Sequence, residues 1–375
     1  MILALLACKP PPEGDPGTSP SDTAVEEQHP ELDALIADQM AIGHMPGLAV
    51  AVTRGDELVW AKGYGSANLE SGAPVTPDTP FMLASVSKTV VVAALMQSVE
   101  AGLVDLDADV DQYLPFQVNP PDAFDAPVTL RQLLTHTSSI SDRWSVLETL
   151  YGDGDSDLAL GDFLADYLVE GGAYYDVTNY QGAPGEAWAY SNIGVSLAAY
   201  VLEAAGGEPF DAVTQRDLFD PLGMTSTAWH LADFAPDAVA MPYGWDGAAW
   251  TPYGQYGYPD YPDGQLRSSV MDLSRHLRAM ATGGSLDGAD VLQEGSLTEM
   301  RTAQVPSLEP SQGLVWFTWD DDGTWWGHDG ADLGVATTLG YRLDDGLGYI
   351  VLTNTDWNDI DAMLAIKGAL ITTFE

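Results

Sequence analysis

The sequence predicts an α+β fold in which an antiparallel sheet is built from the N- and C-terminal segments, flanked by helices, with a mainly helical subdomain beside it. Three observations lead there. Two β-rich runs, residues 47–53 and 58–63, lie near the start of the chain, and three more, 313–319, 335–341 and 347–353, lie near its end. Between them, residues 125–310 mix helical spacing with long loops and turn signals such as Pro184-Gly185 and Pro262-Asp-Gly264. The chain has 375 residues, 46% hydrophobic and 10% aromatic, enough for a large core or two packed subdomains.

The elements follow in order. Residues 1–28 read as a truncated signal with a lipobox and a flexible tether, because Leu5-Leu6-Ala7-Cys8 precedes a stretch rich in Pro, Gly and small polar residues. Cys8 is the single cysteine and the expected lipidation site, which would make the protein an exported, membrane-anchored bacterial lipoprotein of the cell envelope. Helical spacing runs from 32 to 40. Arg54-Gly-Asp-Glu57 then reads as the turn of a hairpin. An apolar helix spans about 85–101, with Gly102 as its C-cap, and a final helix runs from about 359 to 372. The folded domain is thus expected over 29–375. Its sheet subdomain comes from about 29–80 and 311–375, and its helical subdomain from about 105–300. Clefts between subdomains are common ligand sites.

Composition narrows the partners. Thirteen basic against 56 acidic side chains give a formal charge of −43. Such a surface repels nucleic-acid phosphates and reads as a solvated acidic coat. One cysteine permits no internal disulfide and no zinc site of cysteines.

Three segments carry chemistry. In Ser85-Val-Ser-Lys88 the serine and lysine stand three apart at the start of an apolar helix, on one face. Serine needs a neighbouring base to act as a nucleophile, and a helix N-terminus favours a developing oxyanion. Taken alone, the same residues fit an N-cap serine and a snorkelling lysine. Tyr190-Ser-Asn192 offers a phenol for proton transfer and an amide that would meet both a substrate carbonyl and Lys88. Taken alone, it fits a buried tyrosine and a helix-capping Asn192. His328-Asp-Gly330-Ala331 places a glycine where a substrate could lie close against the backbone, with the Ala331 N–H completing an oxyanion hole. Taken alone, it fits a hairpin turn with a surface histidine. His136, His230 and His276 read as packing or surface residues, and Tyr174, Tyr175, Tyr253 and Tyr256 as candidates to line the cleft.

Together, S-x-x-K, Y-x-N and His-x-Gly resemble the serine β-lactamase-like family of class C β-lactamases, D-Ala-D-Ala peptidases and related esterases. Supporting segments occur in the family's order. Leu133-Leu-Thr-His-Thr-Ser-Ser139 is similar to "LLTHTSG", with Ser139 in place of glycine. Pro221-Leu-Gly-Met224 matches "PLGM". Residues 264–274 resemble "GGLYSTAEDLA", with Gln265 in place of glycine. The resemblance covers about residues 30–372 and implies a β-lactamase/transpeptidase-like fold.

The resemblance also implies catalysis by Ser85, Lys88 and Tyr190, substrate contacts from Asn192, His328, Gly330 and Ala331, and no metal or organic cofactor. It implies a serine hydrolase that forms an acyl-enzyme on a small ester, amide or peptide, of esterase or D-aminoacyl peptidase type. The alternatives are a β-lactamase or D-Ala-D-Ala carboxypeptidase, and a non-catalytic penicillin-recognising receptor or scaffold. His328 stands where a lysine would present a fixed charge to a substrate carboxylate. A largely neutral histidine beside Asp329 shifts the expectation towards substrates without that carboxylate.

Overall fold

The structure is a computed structural model that describes residues 28–118, 120–121, 126–319, 324–357 and 359–375. Cys8 and the tether before residue 28 lie outside the described residues.

Seven strands form the main sheet, labelled here in chain order: β1 Gly47–Arg54, β2 Glu57–Asn68, β3 Ala73–Pro74, β4 Phe317–Thr318, β5 Trp325–Asp332, β6 Val335–Arg342 and β7 Leu347–Thr353. Their spatial order is β4-β5-β6-β7-β1-β2-β3, with every neighbouring pair antiparallel. The two ends of the chain meet where β1 pairs with β7, Leu48 opposite Thr353 and Arg54 opposite Leu347. The hairpin between β1 and β2 turns at Gly55, whose φ of 56° lies in the left-handed region that glycine adopts without a steric cost.

Alternation along the strands explains why helices cover both faces. Leu48, Val50 and Val52 of β1 and Tyr349 and Val351 of β7 point to one side. There they pack on α1, Pro30–Ile42, through Leu32 and Ile36, and on the C-terminal helix Ile360–Phe374 through Met363, Ile366 and Leu370. Ala49, Ala51, Ile350 and Leu352 point to the other side. They meet α2, Lys88–Glu100, and α3, Asn192–Gly206, in the larger core, together with α4, Val270–Ala281, which packs directly on β1 and β7. Fully burying each such aliphatic side chain contributes roughly 1.5–3 kcal/mol. The helix on this face of the sheet therefore comes from within the stretch, 105–300, that the sequence assigns to the helical subdomain.

Two expectations are corrected. The helix expected over 85–101 begins as a tight 3-10 turn, Ala84–Ser87, and becomes α-helical only at Lys88. The strand expected over 313–319 shrinks to Phe317–Thr318. Its first residues fold on themselves: Gly313 N–H donates to Trp316 O (2.8 Å), Trp316 N–H to Leu314 O (2.7 Å), and Val315 sits at φ 66°. The apolar run is real, but it is a buried irregular segment, since Leu314, Val315 and Trp316 are all within 1% of full burial.

Candidate active site

The turn Ala84–Ser87 presents Ser85 at the edge of the sheet, and its backbone is strained to do so. Ala84 sits at φ 47°, where an L-residue other than glycine loses roughly 1–2 kcal/mol. The neighbours fix it there: Leu83 N–H donates to Leu266 O (2.8 Å), and Thr337 Oγ1 of β6 donates to Leu83 O (2.6 Å). Strand β5 closes against the same turn through Gly330. A Cβ at that position would stand 2.3 Å from Thr337 Oγ1, 2.5 Å from Leu83 O and 3.1 Å from Ser85 N. The glycine of His-x-Gly therefore first admits the nucleophile's own turn, and the close approach expected of a substrate is made here by the protein backbone.

Lys88 is completely buried, which rules out a snorkelling surface lysine. Its Nζ donates to Ser85 Oγ at 2.9 Å and to the Asp263 carbonyl at 2.5 Å, and lies 5.2 Å from the centre of the Tyr190 ring. The Tyr190 hydroxyl is buried and has no hydrogen-bond partner among the described residues. Ser85, Tyr190, Asn192, His328, Gly330 and Ala331 all line one cavity of about 1080 Å³, while Lys88 reaches Ser85 from beneath it. The hydrogen bonds of Lys88 Nζ go to Ser85 and Asp263, not to Asn192 as the sequence suggests. Nor does Asn192 cap its helix. Ser191 does, accepting from Gly194 N–H at 2.9 Å, and Asn192 is the first helical residue.

Three further residues position the site without any chemical signature of that role in their own segments. Asp142 accepts from Asn192 N–H (2.8 Å), Ile193 N–H (3.1 Å) and Ser191 Oγ (3.1 Å), anchoring the start of α3. His136 accepts from Ser191 N–H at 3.2 Å through Nδ1, and its ring lies 4.3 Å from that of Tyr190. Gln265 accepts from Tyr258 N–H at 2.8 Å, which places a tyrosine on the cavity wall. The sequence did mark positions 136 and 265, but only as segments of a family pattern.

His328 is a buried strand residue, not a surface turn. Burial and the nearby Lys88 charge push its pKa down to about 3, so the ring is neutral. Its Nδ1 lies 2.5 Å from the Asp329 carbonyl, an acceptor, so Nδ1 carries the hydrogen. Nε2 is left as a bare acceptor, buried and without a partner among the described residues. Around it the cavity is acidic and aromatic. Asp142, Glu148, Asp263, Asp329, Asp332 and Asp356 line it, with Trp144, Phe317, Trp319 and Trp357, and no arginine or lysine does so among the described residues. Burial beside Asp260 raises the Asp263 carboxyl well above its usual range, and the Asp260 carboxyl is pushed up to about 7 by burial. Of the four tyrosines expected in the cleft, none lines it directly. Tyr256 backs Tyr151 and Tyr258, which do, with ring centres 5.5 and 6.5 Å away. His276 is buried in the core beside Trp316, whereas His230 is partly exposed beside Tyr261.

A large antiparallel sheet drawn from both chain ends, with a serine–lysine pair at the root of the helix beside it, defines the β-lactamase/transpeptidase-like class of fold. The Beta-lactamase family model matches residues 32–371, and the chain belongs to that family. It is 33% identical over 220 residues to Esterase EstB of Burkholderia gladioli, covering 56% of this chain and 54% of that protein. It is 32% identical over 213 residues to a D-aminopeptidase of Gluconobacter oxydans, covering 57% and 37%. The solved octameric penicillin-binding protein homologue from Pyrococcus abyssi superposes with a TM-score of 0.76 at 25% identity, covering 92% of this chain and 77% of that one. The chain spans about half the length of the esterase it matches.

Proposed function

We propose that this protein is a serine hydrolase acting through an acyl-enzyme on esters or amides, of the esterase or D-aminoacyl peptidase type. The observation that carries the reading is the contact between buried Lys88 Nζ and Ser85 Oγ at 2.9 Å, with the unpartnered Tyr190 hydroxyl in the same pocket. Ser85 Oγ attacks the substrate carbonyl carbon as its proton passes to the Lys88–Tyr190 pair. The N–H groups of Ser85 and Ala331 hold the oxyanion, each such donor being worth about 3–4 kcal/mol in the transition state. The leaving group departs with the proton, and water then releases the acyl group from Ser85. Asn192 serves as a donor to the substrate carbonyl side. No step calls for a metal or an organic cofactor.

The esterase and D-aminopeptidase relatives support this choice over a β-lactamase. Neutral His328, with only a lone pair to offer, supports it too, because a β-lactam or D-Ala-D-Ala carboxylate would meet no cation there. Ser85→Ala should abolish labelling by a fluorophosphonate probe and turnover of p-nitrophenyl butyrate, while nitrocefin is hydrolysed poorly by the wild type. Labelling that survives Ser85→Ala overturns the assignment. Efficient nitrocefin turnover favours the β-lactamase reading, and acylation without turnover favours the penicillin-recognising receptor. We further propose that Cys8 anchors the protein to the cell envelope by lipidation. Incorporation of labelled palmitate, lost in Cys8→Ser, tests that.

A further inference from the structure

We infer that the acyl group this cavity accepts carries a positive charge, held against Asp332 and the tyrosine rings beside it. The inference rests on the hydrolase reading above and names its substrate class. Asp332 follows Ala331, so its carboxylate stands one residue beyond the N–H assigned to the oxyanion. A carbonyl oxygen seated between Ser85 and Ala331 shares one cavity with the Tyr151, Tyr258 and Asp332 wall, to which we assign its acyl substituent.

That wall is built and rigid. Tyr151 and Tyr258 have ring centres 4.7 Å apart, and the Tyr151 hydroxyl donates to Asp332 at 3.3 Å. Asp332 also accepts from Leu333 N–H at 2.7 Å. Tyr256, behind, donates to the Leu333 carbonyl at 2.8 Å. Tyr258 adjoins the nucleophile's turn. A Cβ on Gly264 would fall 2.5 Å from the Tyr258 hydroxyl and 3.4 Å from the Ala84 carbonyl carbon. Glu148 and Asp356 continue the negative lining.

The second, independent observation is His328. It is only 5% exposed and lines the same cavity, and its Nε2 lone pair has no partner among the described residues. Lys88 Nζ is already engaged by Ser85 and Asp263. An anionic acyl group would thus meet acceptors and carboxylates. An ammonium meets carboxylate charge, aromatic faces and a lone pair, each of which attracts it.

The test uses three p-nitrophenyl esters on the full chain: 4-(trimethylammonio)butanoate, its neutral isostere 5,5-dimethylhexanoate, and the anionic hemiglutarate. Each kcat/KM is divided by the ester's uncatalysed hydrolysis rate. At low salt the wild type should prefer the cation over its isostere by tenfold or more, with the anion slowest. Asp332→Asn should lower that ratio roughly tenfold. Glu31→Gln, an exposed charge on α1 across the sheet, should leave it unchanged. A wild-type ratio near one overturns the inference, whether or not Asp332→Asn folds. So does an equal fall with Glu31→Gln, which would assign the preference to the overall field. If the neutral ester turns over but the cation gains nothing, only this inference fails. If no ester is hydrolysed and Ser85 is not labelled, the hydrolase reading fails and takes the inference with it.

Discussion

Ser139 shows how one side chain can work against its place. It departs from the glycine of the pattern its segment resembles, sits at φ 68°, and its hydroxyl is buried without a partner among the described residues. Both features are costly: the left-handed backbone by roughly 1–2 kcal/mol, the orphaned hydroxyl by a further amount of about that size. Glycine loses some of this gain through its freer unfolded chain. Ser139→Gly should therefore stabilise the protein by about 1 kcal/mol, read as a higher urea midpoint with an unchanged slope. Ala84 carries the same kind of strain but holds the nucleophile. The sequence showed the oddity at 139 as a departure from a pattern, but a torsion angle has no signature in an alanine. Ser85 and Lys88 were legible because three-residue spacing on a helix is local. Asp142 was not, since its partners lie 49–51 residues away.

At the scale of the element, the start of α3 is what aims Tyr190. A helix leaves its first N–H groups without partners, and here Ser191 and Asp142 between them satisfy those of Asn192, Ile193 and Gly194. The carboxylate also sits at the positive end of the helix. Asp142→Ala should cost about 1–3 kcal/mol in stability and lower kcat more than it raises KM, because it frees the chain two residues from the phenol. Asp142→Asn keeps an acceptor and should recover part of kcat, an outcome that a purely destabilising role would not give. Melting curves and steady-state kinetics on the two variants decide this. The β1–β2 hairpin and the β6 and β7 runs were legible because alternation and turn residues coincide. Residues 313–316 were not, because an apolar run buried on all sides looks alike as strand or coil.

For the whole molecule, charge dominates. A formal −43 on 375 residues stores mutual repulsion that the folded state concentrates. Salt screens it, with a Debye length falling from about 30 Å at 0.01 M to about 3 Å at 1 M. The melting temperature should therefore climb by several degrees between 0.02 and 1 M NaCl. A flat or falling curve would mean that the few arginine–carboxylate pairs, such as Arg131 with Asp107 and Glu299, matter more than the net field.

The seam between β1 and β7 has a consequence for synthesis. Leu48 waits for Thr353, so during translation the N-terminal hairpin leaves the ribosome with one hydrogen-bonding edge open, and some three hundred residues must follow before its mate exists. A nascent chain of this design cannot finish its sheet until β7 has emerged, and meanwhile it offers that edge to any passing strand or chaperone.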